Sequence, residues 1–257
     1  MKFRSVTAVA LTAGILLASA ACSSAGTADS KSGSHTSAPS KNGPSKTYQA
    51  GDLPPILTAA KKTLGITGTV LNNVQVQAQK AKLGSGGIAA LLDKSGVTIS
   101  PAACGQLIKN NLAAPADKGI VASTLTSGSN VISVATEADK NLPVGDTNAA
   151  IAREQKVLDQ CGKITMAIAE GSQTIKAQLA IEKLDVTTNA DQTYGFSETV
   201  TIPTAAGGHT TAVAVSTVTA ISGNLLITVI SSSGAGTATP APLNPSEAIN
   251  AVIAAAK

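Results

Sequence analysis

The sequence predicts an α+β fold, in which an antiparallel β-sheet meander is flanked by helices and one disulfide joins two of its segments. Three observations carry this prediction. The second half of the chain alternates apolar and polar residues, a stretch ahead of it has apolar residues at helical spacing, and two cysteines remain once the N-terminal one is set aside.

The alternation is clearest at residues 175–182, where every second residue is apolar. A strand with this pattern has one buried and one solvated face. The same period appears at 164–168 and at 194–202, and only Glu198 interrupts the last stripe. These segments predict three strands.

Two β-branched runs follow at 210–221 and 224–231, joined by Ser222-Gly223, which has turn chemistry. Together with the three alternating stripes they predict a meander of about five strands. Further strands are expected at 121–125 and 131–135.

Ahead of the meander, residues 146–161 place their apolar side chains on one helical stripe and predict a helix that ends at Cys161. Shorter helices are expected at 54–64, 87–94 and 245–256. The helices and strands therefore follow one another in the order of an α+β domain.

The N-terminus has the order of a secretory signal, with Lys2 and Arg4 before an apolar run at 6–17 and small residues up to Cys22. The run is too short for a helix that spans a bilayer, which needs about 20 residues. A retained membrane-spanning helix is therefore not expected.

The junction of small residues at 18–21 with Cys22 resembles the lipobox of bacterial lipoproteins. In that motif the cysteine carries a diacylglyceryl group and becomes the new N-terminus. The resemblance implies that 1–21 is a lipoprotein signal peptide and that Cys22 is the lipid attachment site. Ser19 stands where the motif usually has an aliphatic residue, and the alternative is ordinary signal-peptidase cleavage, which leaves a free thiol.

Residues 22–47 are mainly small and polar, with no large apolar side chain. Such a segment cannot bury a core and predicts a disordered tether with a reach of about 25 to 30 Å. The remainder, 48–257, is expected to form a single globular domain.

The chain has three cysteines. With Cys22 assigned to the anchor, Cys104 and Cys161 remain, and an oxidising compartment allows them to form a disulfide. Two separate buried thiols are the alternative. No metal site or cofactor is expected, because two distant cysteines and the one histidine of the domain, His209, cannot fill a tetrahedral site.

Composition excludes several functions. The formal net charge of +4 gives no electrostatic footprint for nucleic acid. Tryptophan is absent and aromatic residues make up 2% of the chain, so no stacking platform for bases or sugars is expected.

No catalytic constellation is evident, and the domain is predicted not to be an enzyme. His209 follows a predicted turn at 204–208, but the sequence contains no G-x-S-x-G nucleophile elbow. The segment 84–89 fits G-x-G-x-x-A without the acidic residue that a dinucleotide site needs about 20 positions on. The carboxylates at probable strands and turns have no acid/base spacing; they are Glu182, Asp185, Asp191 and Glu198.

A family resemblance covers the chain from about residue 97 onward. It rests on "PAAC" at 101–104, "LDQCG" at 158–162 and "ISGNLLITVISSSG" at 221–234, followed by an Ala-rich helix. This order resembles the extracellular sensor domain of mycobacterial receptor serine/threonine kinases of the PknH type, which also occurs in actinobacterial lipoproteins. The resemblance implies a twisted antiparallel sheet flanked by helices, a cleft for a ligand, and Cys104–Cys161 as the first of two family disulfides.

We therefore expect an exported lipoprotein on the outer face of the cell membrane, held there by its lipid anchor. Its domain is expected to bind a small molecule, a cell-wall component or a protein of the envelope without catalysis. A carrier of lipids or other hydrophobic ligands is the first alternative. An envelope hydrolase, which would need His209 near a serine and an acidic residue, is the second.

Intact-mass spectrometry of the chain expressed in an actinobacterium tests the anchor and the disulfide together. The mature chain is expected to begin at Cys22, to carry added acyl mass, and to gain the mass of two hydrogens on reduction. Cys22→Ala should abolish the acyl mass and leave the gain on reduction unchanged. An unacylated wild-type chain would contradict the lipid anchor.

Overall fold

The computed structural model of the chain describes residues 47–82, 96–112, 120–137, 152, 155–170, 173–203, 209–234 and 242–257. The helices are α1 Leu53–Thr63, α2 Asn73–Lys82, α3 Ala102–Leu112, α4 at 155–161 and α5 Pro245–Ala256. The strands are β1 Thr69–Leu71, β2 Val97–Ser100, β3 Ile120–Ser127, β4 Asn130–Glu137, β5 Lys163–Glu170, β6 Gln173–Lys183, β7 Gln192–Pro203, β8 His209–Ser222 and β9 Leu225–Gly234.

The strands form one nine-stranded sheet in the order β1-β3-β4-β9-β8-β7-β6-β5-β2, and all neighbours are antiparallel. Strands β5 to β9 are the predicted five-stranded meander, and β3 and β4 are the two further strands that the sequence indicated. The predicted α+β class is confirmed. The short edge strand β1 was not predicted, because three residues are too few for a visible alternation.

The hairpin of β8 and β9 lies at the centre of the sheet and is buried on both faces. Residues 218–222 and 225–229 are all buried, which explains why their sequence reads as continuous apolar and β-branched runs. The turn consists of Gly223 and Asn224, one residue later than predicted, and Gly223 has a φ of 57°, which favours glycine.

One face of the sheet, here called the front face, packs against α1 and α5. The helices lie over β3, β4, β9 and β8 and form the largest apolar core of the described residues. Pro245 begins α5, and the Asn244 side chain caps it by accepting hydrogen bonds from the N–H groups of Ser246 and Glu247. Both predicted helices, at 54–64 and 245–256, are therefore confirmed.

The opposite, back face carries α3 and α4 at the other end of the sheet. Their apolar residues pack with those of β5, β6 and β7 in a second core. The disulfide between Cys104 of α3 and Cys161 of α4 lies within it, with an S–S distance of 2.12 Å and a Cα–Cα distance of 5.6 Å. The predicted pairing is confirmed, and the cysteines are not separate thiols.

Two helices were missed by the sequence reading. In α2 the residue that packs on the back face is Val76, while most of its other residues are exposed, so the apolar periodicity is weak. Its start is marked instead by a reciprocal cap, in which the backbone N–H groups of Asn72 and Gln75 each donate to the other's side chain. Helix α3 was expected only as a segment beside Cys104.

Several predictions lie outside the described residues. They are the signal peptide at 1–21, Cys22 and most of the tether, the helix at 87–94, and most of the 146–154 part of the helix that continues as α4. Within the ranges that the structure describes, no helix is both long enough and apolar enough to cross a membrane.

Tyr48 ties the beginning of the fold to its last helix. The side chain is fully buried in the front core, and its hydroxyl donates a hydrogen bond of 2.8 Å to the carbonyl oxygen of Ala256. Burial raises the pKa of Tyr48 from 10.0 to about 12, and the carboxylate of Asp52 adds to the shift. The neutral phenol is therefore the form that the fold stabilises.

Ile227→Ala should destabilise the domain strongly, because Ile227 of β9 is fully buried in the front core under α1 and α5. The expected loss in the free energy of unfolding is about 2 to 5 kcal/mol, measured by urea denaturation. Val74→Ala is the control, since Val74 is 75% exposed and its truncation should change stability by less than about 0.5 kcal/mol. Similar losses in both variants would contradict the described core.

The raised pKa of Tyr48 predicts a pH dependence of stability. The folded-state pKa is higher than the unfolded one, so the contribution of the phenol is complete below pH 10.0 and is lost as the pH rises through about 12. Tyr48→Phe should be less stable than the wild type near neutral pH, and the difference should shrink as the solution becomes alkaline. Urea denaturation at neutral and alkaline pH measures it, and a constant difference would refute the assignment.

Candidate functional site

The most distinctive group of polar side chains is a row of hydroxyls that crosses the back face. Its members are opposite one another in the register of neighbouring strands, in the order Thr124 (β3), Ser133 (β4), Thr228 (β9), Thr219 (β8) and Tyr194 (β7). Neighbouring strands lie about 4.8 Å apart, so the row extends over about 19 Å. We call it the hydroxyl row.

Strand alternation places this row on the back face. The neighbours of Thr219 and Thr228 along their strands, such as Val218 and Ile227, belong to the front core. Side chains at successive positions point to opposite faces, so the threonines themselves face the other way. The row therefore lies on the face that carries α2, α3 and α4.

Apolar side chains border the hydroxyl row on both sides. On one side the next row contains Ala122, Ala135, Leu226 and Ile221, which pack with Val76 of α2. On the other side it contains Thr126, Val131, Ile230, Thr217 and Phe196. The polar groups are thus a band between two largely apolar bands.

Exposure changes along the row. Thr124 and Ser133 are partly exposed, whereas Thr219, Thr228 and Tyr194 are buried. The hydroxyls of Thr219 and Thr228 are 3.4 Å apart and share one hydrogen bond. Each hydroxyl can donate once and accept twice, so this pair retains acceptor capacity toward a further group. The accessible end of the row is therefore at β3 and β4.

A second polar feature of the back face is Glu198, which is fully buried on β7. Its neighbours in register are Ile181 on β6 and Val215 on β8. Glu198 is the residue that interrupts the alternating apolar residues of β7 in the sequence. The interruption therefore indicated a carboxylate among apolar side chains of one face. A carboxylate is costly to bury, which makes this position unusual for a core.

The other carboxylates considered in the sequence do not come together with it. Glu182 and Asp185 are exposed, and Asp185 forms a surface ion pair with Lys183. Asp191 accepts a hydrogen bond of 2.8 Å from the N–H of Gly223 and so holds the central turn. Glu182 and Asp185 are therefore surface carboxylates, Asp191 stabilises a turn, and the three do not form an acid/base pair with Glu198.

Of the remaining site residues predicted from the sequence, the structure confirms some and does not describe others. Cys104 and Cys161 are brought together as a disulfide, whereas Cys22 and the 84–89 segment lie outside the described residues. His209 begins β8 opposite Pro203 in register. The described part of the chain contains no group of three or more His, Cys, Asp and Glu side chains that could hold a metal ion.

The hydroxyl row itself was missed. Its residues are distant in sequence, and threonine and serine at strand positions are unremarkable one at a time. The signal that could have found them is the register of β3, β4, β9, β8 and β7, which depends on the turns and on which neighbouring residues are buried.

No family model and no curated protein that we compared matches the chain. Solved structures with a similar fold include the extracellular domain of PknH from Mycobacterium tuberculosis, at 12% sequence identity and a TM-score of 0.39, with coverage of 83% of this chain and 96% of that one.

Another is an uncharacterized protein from Mycobacterium smegmatis, the Rv0999 ortholog. It has 12% identity and a TM-score of 0.38, and the match covers 79% of this chain and 95% of that chain. These values indicate only a distant likeness of fold. They assign neither a ligand nor an activity to this chain.

Replacing Thr219 and Thr228 together by valine should leave the domain folded. Valine has the shape of threonine, and removing both partners of a hydrogen bond leaves neither one unpaired. The free energy of unfolding is expected to change by less than about 1 kcal/mol in urea denaturation. A large loss of stability would show that the pair is an essential part of the core.

Proposed function

We propose that the chain is a lipid-anchored extracytoplasmic protein whose domain binds a ligand without catalysis, and that the hydroxyl row is the floor of the binding site. The observation that carries this proposal is the alignment of hydroxyls on adjacent strands from β3 to β7. A binding site typically sets a few convergent polar groups among apolar side chains, and the bands of the back face have this composition.

The position of the row in the fold supports the same function. Helix α2 packs at one border of the row through Val76, and the core of α3 and α4 includes Tyr194 and Phe196 at its far end. The site residues lie on strands of a continuous sheet, which fixes their spacing more firmly than loops can. The disulfide joins α3 and α4 on the same face.

A non-catalytic role is supported by the separation of the reactive groups. Acid/base and nucleophilic catalysis need side chains within hydrogen-bond reach of one another. Among the described residues, Glu198 is buried on the back face, while Asp185 and Asp191 are engaged with Lys183 and the Gly223 turn. The secretory-signal pattern at 1–21 and the lipobox-like Cys22 support a location outside the cytoplasmic membrane.

A thermal-shift experiment with the purified full-length lipoprotein tests the proposal. The protein is mixed with fractions of a solvent extract of the envelope of the producing cells. A ligand present at a hundredfold excess over its Kd stabilises the folded state by about 2.7 kcal/mol. For a domain of this size, the expected rise in Tm is roughly 5 to 10 °C.

Two double variants make this experiment specific. Thr219→Val with Thr228→Val removes two hydroxyls of the row and should reduce the shift. Thr199→Val with Thr201→Val removes two partly exposed hydroxyls from the front face of β7 and should retain it. If no fraction shifts the wild type, or if both double variants respond equally, the proposed site is wrong.

A further inference from the structure

The outer border of β3 is only partly covered by another strand. Strand β3 has eight residues, and the three residues of β1 pair with those at 124–126. If the register of β1 is continued, it places Asn73 opposite Ala122, after β1 has ended. The backbone of residues 120–123 therefore lies beyond the strand that forms the border of the sheet.

A side chain takes the place of a strand at this position. The N–H of Ala122 donates a hydrogen bond of 3.1 Å to Oδ1 of Asn73, the first residue of α2. One residue further, the hydroxyl of Ser123 donates a bond of 2.6 Å to the carbonyl oxygen of Leu71. The bond from Ala122 satisfies an N–H group that an added strand would otherwise find available.

The chain that leads into β1 is held against the same border. The carbonyl oxygen of Gly68 accepts a hydrogen bond of 2.7 Å from Nζ of Lys61 in α1. Gly68 itself lies against the end of β3, where a Cβ atom would overlap the carbonyl oxygen of Thr126. Glycine allows this close approach because it has no Cβ. We call residues 68–73 the edge segment.

Strand β3 and its neighbour β4 have a composition that favours pairing with further strands. Residues 120–136 contain no Asp, Glu, Lys, Arg or Pro, and most of them are β-branched residues, serine or alanine. Uncharged segments with high β-propensity and without proline self-associate when they are exposed. Proteins often protect such a border with charged residues or proline. Here the edge segment provides the protection instead.

The edge segment is held less firmly than the centre of the sheet. None of residues 69–73 is buried, whereas residues 225–229 of β9 are all buried. Segments with few buried apolar contacts open locally at a lower free energy than the core. The edge segment can therefore leave β3 while β8 and β9 remain paired.

From these observations we infer that the edge segment guards the border of β3, and that its displacement opens this border to β3 of a second copy of the chain. Two β3 strands can pair in antiparallel register about a twofold axis, because each presents the same uncharged residues to the other. Such a contact is isologous and closes into a dimer.

Hydrogen exchange of the full-length chain in detergent micelles, measured by mass spectrometry, tests the guard. Asn73→Ala removes the acceptor of the Ala122 N–H, and Gly68→Ala pushes β1 away from the end of β3. In both variants, residues 120–126 are expected to exchange at least about tenfold faster than in the wild type. Residues 225–229 should keep the wild-type rate, because the core remains folded.

Each variant has a matched control. Val74→Ala changes the neighbour of Asn73, which is 75% exposed, and Gly51→Ala adds a Cβ with nothing within 4 Å. Both should exchange like the wild type. Asn73→Asp keeps an acceptor oxygen and should also retain the protection of residues 120–126. Wild-type exchange of these residues in Asn73→Ala and Gly68→Ala would overturn the guard.

The outcome of the exchange experiment is clear even where a substitution damages the fold. Faster exchange of residues 225–229 in Gly68→Ala would show that this variant has lost its core. The comparison of Asn73→Ala with Asn73→Asp then decides. Equal exchange of residues 120–126 in these two variants would contradict a role of the Asn73 oxygen.

Analytical ultracentrifugation of the same samples tests the partner. The wild type should sediment as a monomer, and Gly68→Ala should form dimers as its concentration rises. Adding Thr126→Lys to Gly68→Ala should restore the monomer, because lysine on an edge strand opposes pairing. Adding Gln178→Lys is the control, since it places the same charge on an exposed position of β6, inside the sheet. Faster exchange without dimers, or dimers that resist Thr126→Lys, would refute pairing through β3.

Discussion

The pairing of β8 with β9 is the interaction on which the rest of the sheet depends. These strands are joined by a two-residue turn and are buried on both faces over residues 218–222 and 225–229. The β3–β4 hairpin attaches to β9, and the remainder of the meander attaches to β8. A loss of this pairing would therefore separate the front core from the back core.

Alternation along these two strands also explains how one sheet supports two cores on opposite faces. Val218, Ala220, Leu225 and Ile227 contribute to the front core under α1 and α5, and the residues that alternate with them, such as Thr219 and Thr228, face the back. Toward β5 and β6 the apolar positions belong to the back core under α3 and α4. The hydroxyl row lies between the contact of α2 at Val76 and the back core that contains Tyr194.

Much of the fold could be predicted because its signals are local. The alternation of β6, the turn at Gly223 and the Pro start of α5 are each visible within a few residues. Helix α2 was missed because Val76 is its one buried residue among those described, and a single buried position shows no helical periodicity. Strand β1 was missed because three residues show no period.

The site was less predictable than the fold for a related reason. The disulfide could be predicted from a cysteine count, and Glu198 was visible as an interruption of a stripe. The hydroxyl row arises only when the registers of four strand pairs are combined, and a shift of one residue in any pair would turn its members to the front face. Sequence patterns within a strand do not contain that information.

The bond between Tyr48 and Ala256 has a mechanical consequence. A pull on the chain ahead of Tyr48 is delivered to the last turn of α5, which packs on β9 and β8 in the front core. The force therefore acts first on the deeply packed strands β9 and β8. The short edge strands β1 and β2 lie at the borders of the sheet and do not carry it first. The segment ahead of Tyr48 is thus connected to the part of the domain that is most deeply packed.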